Sequence, residues 1–118
     1  MITVFGIKNC DTCRAARKWL DEEGMDHRFH DFRADGIDPD TLAGWTAALG
    51  WEMLLNRRGA TWRKLPNADR ENIGAESAAI LMLANPTLIK RPVFDLGGAF
   101  VVGFKEAEKA RIREARSA

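Results

Sequence analysis

The chain has two cysteines, Cys10 and Cys13, set two residues apart in the stretch Gly6-Ile7-Lys8-Asn9-Cys10-Asp11-Thr12-Cys13-Arg14. A thiolate is strongly nucleophilic even as a minor species near neutral pH, and a neighbouring thiol can resolve the adduct it forms. At the start of a helix both sulfurs of a Cys-x-x-Cys lie on one side of the first turn, near enough to close a small disulfide. In that arrangement Cys10 attacks and Cys13 resolves. The alternative is a pair of small buried hydrophobes. Thiol chemistry at neutral pH calls for a lowered pKa, and cysteines at helix N-termini or beside cations reach about 3.5–7.5 instead of about 8.5.

The flanking residues supply that setting. Ile2 to Phe5 is a short apolar run of β-branched and aromatic residues closed by Gly6, which reads as a buried strand. From Asp11 a helical pattern begins, with Ala15, Ala16, Trp19 and Leu20 on one face and Arg14, Arg17, Lys18 and Asp21 on the other. Cys10 therefore falls where a strand end meets a helix start, among unpaired N–H groups at the positive end of a helix dipole. Arg14 lies one turn further on and is expected to add to the stabilisation of a thiolate.

Glu23-Gly24 ends that helix, and residues 27–32 (His-Arg-Phe-His-Asp-Phe) read as a second strand, giving a βαβ unit with parallel strands. Asp38-Pro39 caps a second helix that carries Leu42, Trp45 and Leu49 inward until Gly50. Trp51 to Leu55 is apolar. Residues 56–66 read as a loop or short turn, a short helix follows near residues 68–73, and a firmer one at residues 76–84 stops at Asn85-Pro86. Two short apolar runs around Gly97-Gly98 predict an antiparallel hairpin, and a charged helix from Lys105 is expected to fray after Arg113. The order predicts an α/β fold with a mixed four-stranded sheet flanked by helices, one domain over residues 1–118 with a helical insertion at approximately 38–86.

Composition narrows the functions. The 118 residues carry 18 Lys+Arg against 17 Asp+Glu, a net charge of +1, so no global field invites direct nucleic-acid binding. No apolar run approaches the roughly 18 residues a membrane span needs. The start lacks a basic region followed by a long apolar stretch, so a cytoplasmic protein without a membrane partner is expected. There a Cys-x-x-Cys suggests redox or metal chemistry more than a structural staple. For metal, His27 and His30 make a near miss of a zinc-finger pattern, but an offset of three on one strand sends them to opposite faces, and no metal site is expected. Arg57, Arg58, Arg63 and Lys64 form the one notable basic cluster; it fits an anion, and its plainer reading is a solvated loop. Trp45, Trp51 and Trp62 are expected to pack in a core. Spacing leaves the Arg91-Pro92 peptide isomer open.

Four stretches together resemble the glutaredoxin-coupled arsenate reductase (ArsC) family, closest to its YffB/Spx-like branch: residues 6–12, the His-Asp-Phe-Arg strand end, residues 55–65 with Leu-Asn-Arg-Arg-Gly and Trp-Arg-Lys-Leu, and Ile89-Lys90-Arg91-Pro92-Val93. The resemblance implies a thioredoxin-like fold, a cis Pro92 facing the active site, and Arg91 directed at Cys10. It also shows departures. The family's reductases surround the catalytic cysteine with three arginines, of which Arg91 matches one; Asn56 and Phe104 stand where the others would be, with Arg58 nearby as a partial substitute. A true arsenate reductase is therefore not expected. What is expected is a thiol-dependent reductase acting on a small thiol or oxidised substrate, without a tightly bound cofactor and with glutathione as co-substrate. Cys10, Cys13 and Arg91 would be its catalytic residues, and Asn9, Thr12, Arg14, Arg58 and Pro92 its substrate-binding ones. The alternative implied by the resemblance is an Spx-like redox-sensing regulator that contacts the RNA polymerase α subunit.

Overall fold

A computed structural model of the protein describes residues 1–117. In chain order the first elements are β1 (Ile2–Gly6), α1 (Asp11–Glu22), β2 (His27–Asp31), α2 (Phe32–Asp35), α3 (Pro39–Leu49) and α4 (Trp51–Leu54). There follow α5 (Ala60–Lys64), α6 (Asn67–Arg70), α7 (Ala75–Ala84), a 3-10 turn at Pro86–Leu88, β3 (Val93–Asp95), β4 (Phe100–Val102) and α8 (Glu106–Ser117). They form two compact units: residues 1–35 together with the chain from Arg91 onward, and Gly36–Lys90.

The first unit holds a mixed sheet of order β2-β1-β3-β4. β1 runs parallel to β2, from Ile2 opposite His27 to Gly6 opposite Asp31, and antiparallel to β3, which pairs antiparallel with β4. Strand alternation sends Val4, Phe94 and Val101 to one face, where they pack with Ala16 and Leu20 of α1, Met25, and Ile112 of α8. The buried stripe of α1 is Cys13, Ala16 and Leu20, spaced three and four residues apart. Ala15, expected on the inner face, is exposed, because at 100° per residue Cys13 and Ala16 share the inward side and Ala15 does not.

Local chemistry ends each element. Gly24, at φ 69°, closes α1: its N–H bonds Asp21 O at 3.1 Å, and Met25 N–H bonds Leu20 O at 2.9 Å while the Met25 side chain buries beside Leu20. Gly97 and Gly98, at φ 88° and 119°, turn the β3–β4 hairpin, with Leu96 N–H on Ala99 O at 2.8 Å. α8 continues past its expected end at Arg113. Arg113 Nε donates to Glu23 Oε1 at 2.7 Å and its guanidinium lies 5.1 Å from the Trp19 ring centre, and Arg116 Nη1 donates to Glu23 O at 2.6 Å, so the last turn is tied down.

In the second unit Asp38 caps α3, accepting from Asp40 N–H at 2.8 Å with Pro39 in the first turn, and Leu42 and Trp45 are buried. Leu55 and Ile89 form an isolated antiparallel bridge, flanked by Asn56 N–H on Leu88 O and Lys90 N–H on Leu54 O, each at 2.7 Å. Two expectations need correction. Part of residues 56–66 is helical, as α5, entered through an extended Gly59 and stopped by Leu65 before Pro66. The second strand ends at Asp31, because that residue caps α2 from Phe32. Among the described residues no helix is long and apolar enough to cross a membrane.

Candidate active site

Cys10 is the N-cap of α1. Its backbone is extended (φ −134°, ψ 124°), and its carbonyl accepts the first helical hydrogen bond, from Arg14 N–H at 2.9 Å. The thiol is half-buried, whereas Cys13 in the first turn is fully buried, and both are reduced. Burial alone would raise the Cys10 pKa. Hydrogen bonds from the Cys13 N–H, the Cys13 thiol and the Arg91 guanidinium, together with the Arg91 charge, outweigh it and bring the pKa below the ordinary thiol value. Burial pushes Cys13 the other way, up to about 11, helped by its hydrogen bond to Cys10 and the Cys10 charge, and opposed by the Ile7 N–H and by Arg91. The two sulfurs thus have opposed roles: the surroundings of Cys10 favour its thiolate, and Cys13 is a thiol that donates to it.

The chain brings Cys10, Cys13 and Arg91 together, and the Arg91–Pro92 peptide bond is cis. Pro92 is buried and its carbonyl accepts from Gly103 N–H at 2.9 Å. Arg14 does not take the part expected of it. Its guanidinium donates to Asn9 Oδ1 at 3.1 Å and pairs with Asp11 one turn back, so its charge is spent locally and Arg91 is the cation acting on Cys10. Asn9 is thereby a partner of Arg14, and Thr12 is exposed in the opening turn.

Arg58 belongs to the unit of residues 36–90. Its N–H bonds Asn56 Oδ1 at 3.0 Å, and with Glu52, Leu55, Asn56, Arg57 and Lys90 it lines a cavity of about 440 Å³. The basic cluster divides there. Arg57 lies against two indoles, 5.4 Å from the Trp51 ring centre and 5.8 Å from that of Trp62, while Arg63 Nη1 donates to Arg58 O at 3.0 Å. Of the three tryptophans expected in a core, only Trp45 is fully buried. Phe104, where an arginine of the family's reductases would stand, has a packing role: its ring meets Trp19 at 5.6 Å and Phe94 at 6.1 Å, with Lys109 Nζ 4.8 Å from its centre. The two histidines have separate neighbours, His27 on Met25 O at 2.9 Å and His30 against the Phe5 ring at 5.2 Å.

Asp31 is a residue the sequence reading overlooked. One carboxylate oxygen accepts from Lys8 N–H at 2.9 Å and the other from Arg33 and Ala34 N–H at 2.9 and 3.0 Å, so it ties the loop before Cys10 to the start of α2. The available signal was an aspartate just ahead of a helical turn. Its slight burial opposes ionisation, but those three N–H groups and Arg33 hold its pKa below the ordinary carboxylate value. An aspartate with a depressed folded pKa stabilises above the unfolded value of about 3.9 and loses that contribution as pH falls through the folded one. Asp31→Ala is therefore expected to cost about 1–2 kcal/mol at pH 7, with the gap from wild type closing below about pH 4. Urea unfolding at pH 7 and pH 3 checks this, and a gap independent of pH contradicts it.

A family model described as the ArsC family matches residues 5–112. The chain belongs to the ArsC family. An uncharacterized protein of Haemophilus influenzae is 43% identical over 108 residues, spanning 92% of this chain and 95% of that protein. The solved structure of the YffB protein, 46% identical, superposes with a TM-score of 0.89 over 95% of this chain and 98% of its own. At 28% identity over 92% of this chain and 81% of its own length, the global transcriptional regulator Spx of Streptococcus pyogenes is also similar. The mixed sheet flanked by helices is the thioredoxin-like fold of these ArsC structures.

Proposed function

We propose that this ArsC-family chain is a thiol-dependent reductase in which Cys10 is the nucleophile and glutathione the co-substrate. The observation that carries the reading is the convergence of the Cys13 N–H, the Cys13 thiol and Arg91 on one half-exposed sulfur at a helix N-terminus. Cys10 thiolate attacks one sulfur of a glutathione mixed disulfide; a Cys10–glutathione disulfide forms, and the substrate sulfur leaves as a thiolate that takes a proton from solvent. A second glutathione, as thiolate, then attacks the glutathione sulfur, giving oxidised glutathione and restoring Cys10 thiolate.

Resolution by the external thiol is favoured over resolution by Cys13. Burial is the largest cause that pushes the Cys13 thiol up to about 11, and it persists while Cys10 is in the mixed disulfide, so Cys13 remains a poorly ionised attacking group. Arg91 stays beside the reacting sulfur throughout. The expected cytoplasmic setting supplies glutathione. The test is turnover of a glutathione mixed disulfide, with mass spectrometry of the trapped intermediate. Glutathione on Cys10 is expected; turnover without any adduct on Cys10 sinks the reading.

A second reading, as a redox-sensing regulator that contacts the RNA polymerase α subunit, rests on the similarity to Spx. A pull-down of polymerase with and without oxidant tests it. Retention that depends on a Cys10–Cys13 disulfide would establish the regulator and displace the enzyme.

A further inference from the structure

Gly6 is the last residue of β1, paired with Asp31, four residues before Cys10. Its backbone does not need glycine for a left-handed angle. What it lacks is space. A Cβ built there would lie 2.4 Å from Cys13 Sγ, 3.4 Å from Cys13 Cβ and 3.6 Å from Phe29 Cε1. The first distance is one that folded proteins do not tolerate, and Cys13 has no exposed surface through which its sulfur could retreat.

The sulfur is confined on other sides as well. The Ile7 N–H donates to it, and its own hydrogen is given to Cys10. Staggered torsions are discrete, so a sulfur evicted from one well swings to another and does not slide by a few tenths of an ångström. A sulfur moved to another well is expected to lose its present alignment with Cys10.

We propose that Gly6 is a positioning residue for the thiol pair: by lacking a Cβ it provides the seat of Cys13 Sγ, and through that seat it fixes Cys13 as the hydrogen-bond donor to Cys10. This rests on Cys10 being the nucleophile, and the experiment separates the two claims. The pH midpoint of Cys10 alkylation by iodoacetamide is measured in wild type, Gly6→Ala, Cys13→Ala and the double variant. Gly6→Ala is expected to raise the midpoint, cutting alkylation at a pH below it about threefold to tenfold, and Cys13→Ala to do the same.

The decisive comparison is the double variant. With the sulfur gone, the new Cβ meets Cys13 Cβ at 3.4 Å and Phe29 Cε1 at 3.6 Å, both acceptable separations, so Gly6→Ala should shift nothing further. Equal shifts from Gly6→Ala in both backgrounds would mean a general disturbance and would overturn the proposal. So would an unmoved midpoint in Gly6→Ala. If Gly6→Ala alone does not fold, a double variant that folds with the Cys13→Ala midpoint upholds the steric link, and one that also fails to fold refutes it. A wild-type midpoint at the ordinary thiol value counts against the nucleophile reading and not against the contact.

Discussion

Cys10→Ser is expected to abolish glutathione-dependent turnover, down to the uncatalysed background, while Cys13→Ser retains a large part of it when glutathione is in excess. The asymmetry follows from the placement of the two sulfurs. Cys10 is half-exposed and is the acceptor of three donors, so it holds the reactive electron pair; a serine hydroxyl in its place stays protonated and does not attack a disulfide. Cys13 is sealed from solvent and acts as a donor, and a serine hydroxyl can donate in the same way. Steady-state rates of both variants with a glutathione mixed disulfide give the answer. Equal losses would mean that Cys13 is an obligatory resolving thiol, and loss in Cys13→Ser alone would reverse the assignment of roles.

The second large effect is expected at Arg91. Its guanidinium hydrogen-bonds Cys10, and its charge lowers both thiols' pKa values. A hydrogen bond to a charged group is worth about 1.5–3 kcal/mol, so Arg91→Ala should lower Cys10 reactivity at slightly acid pH by about tenfold to a hundredfold. Arg91→Lys keeps the charge without the planar fork and should fall between the two. Stability carries the same signature. Cys10 has a depressed folded pKa, so its contribution is present above the unfolded value of about 8.5 and is lost as pH falls through the folded one. Cys13, raised to about 11, contributes below about pH 8.5 and loses that as pH rises through 11. Thermal denaturation of wild type and Arg91→Ala should therefore diverge as pH rises toward 8.5. Parallel profiles would remove Arg91 from the site.

The elements were legible in the sequence wherever a local rule decides them. An apolar run stopped by Gly6, an alternation of faces from Asp11, the Gly24 stop, the Asp38-Pro39 start and the Gly97-Gly98 turn each fix a boundary within a few residues, and the βαβ unit and hairpin leave few ways to build a sheet. The site was less legible, because its decisive contacts are distant in sequence or depend on a single missing atom. Arg14 looked like the partner of Cys10 by its four-residue spacing, yet Asp11, three residues before Arg14, takes its charge. Arg91 reaches Cys10 only after the sheet has formed, and nothing local announces that; the family resemblance did. Gly6 read as a strand terminator, and its close approach to Cys13 is visible only in three dimensions. Asp31 read as part of a strand, and it is the last residue of β2; its second part, capping α2 and holding Lys8 N–H, is visible only in three dimensions.

The departures from the family's reductases also have a physical basis. Phe104 is held between Trp19 and Phe94 beneath Lys109, so that position serves packing and not charge. Arg91 is an arginine whose charge acts on both cysteines. The disulfide substrate proposed above carries no charge at its reacting atoms and so asks for no oxyanion compensation.

The most direct measurement is the rate of alkylation of each cysteine across the pH range, resolved by mass spectrometry of the modified peptides. Cys10 is expected to react with a midpoint below the ordinary thiol value of about 8.5, with Cys13 silent until the pH approaches 11. Two cysteines reacting alike with ordinary midpoints, or Cys13 reacting first, would contradict the account.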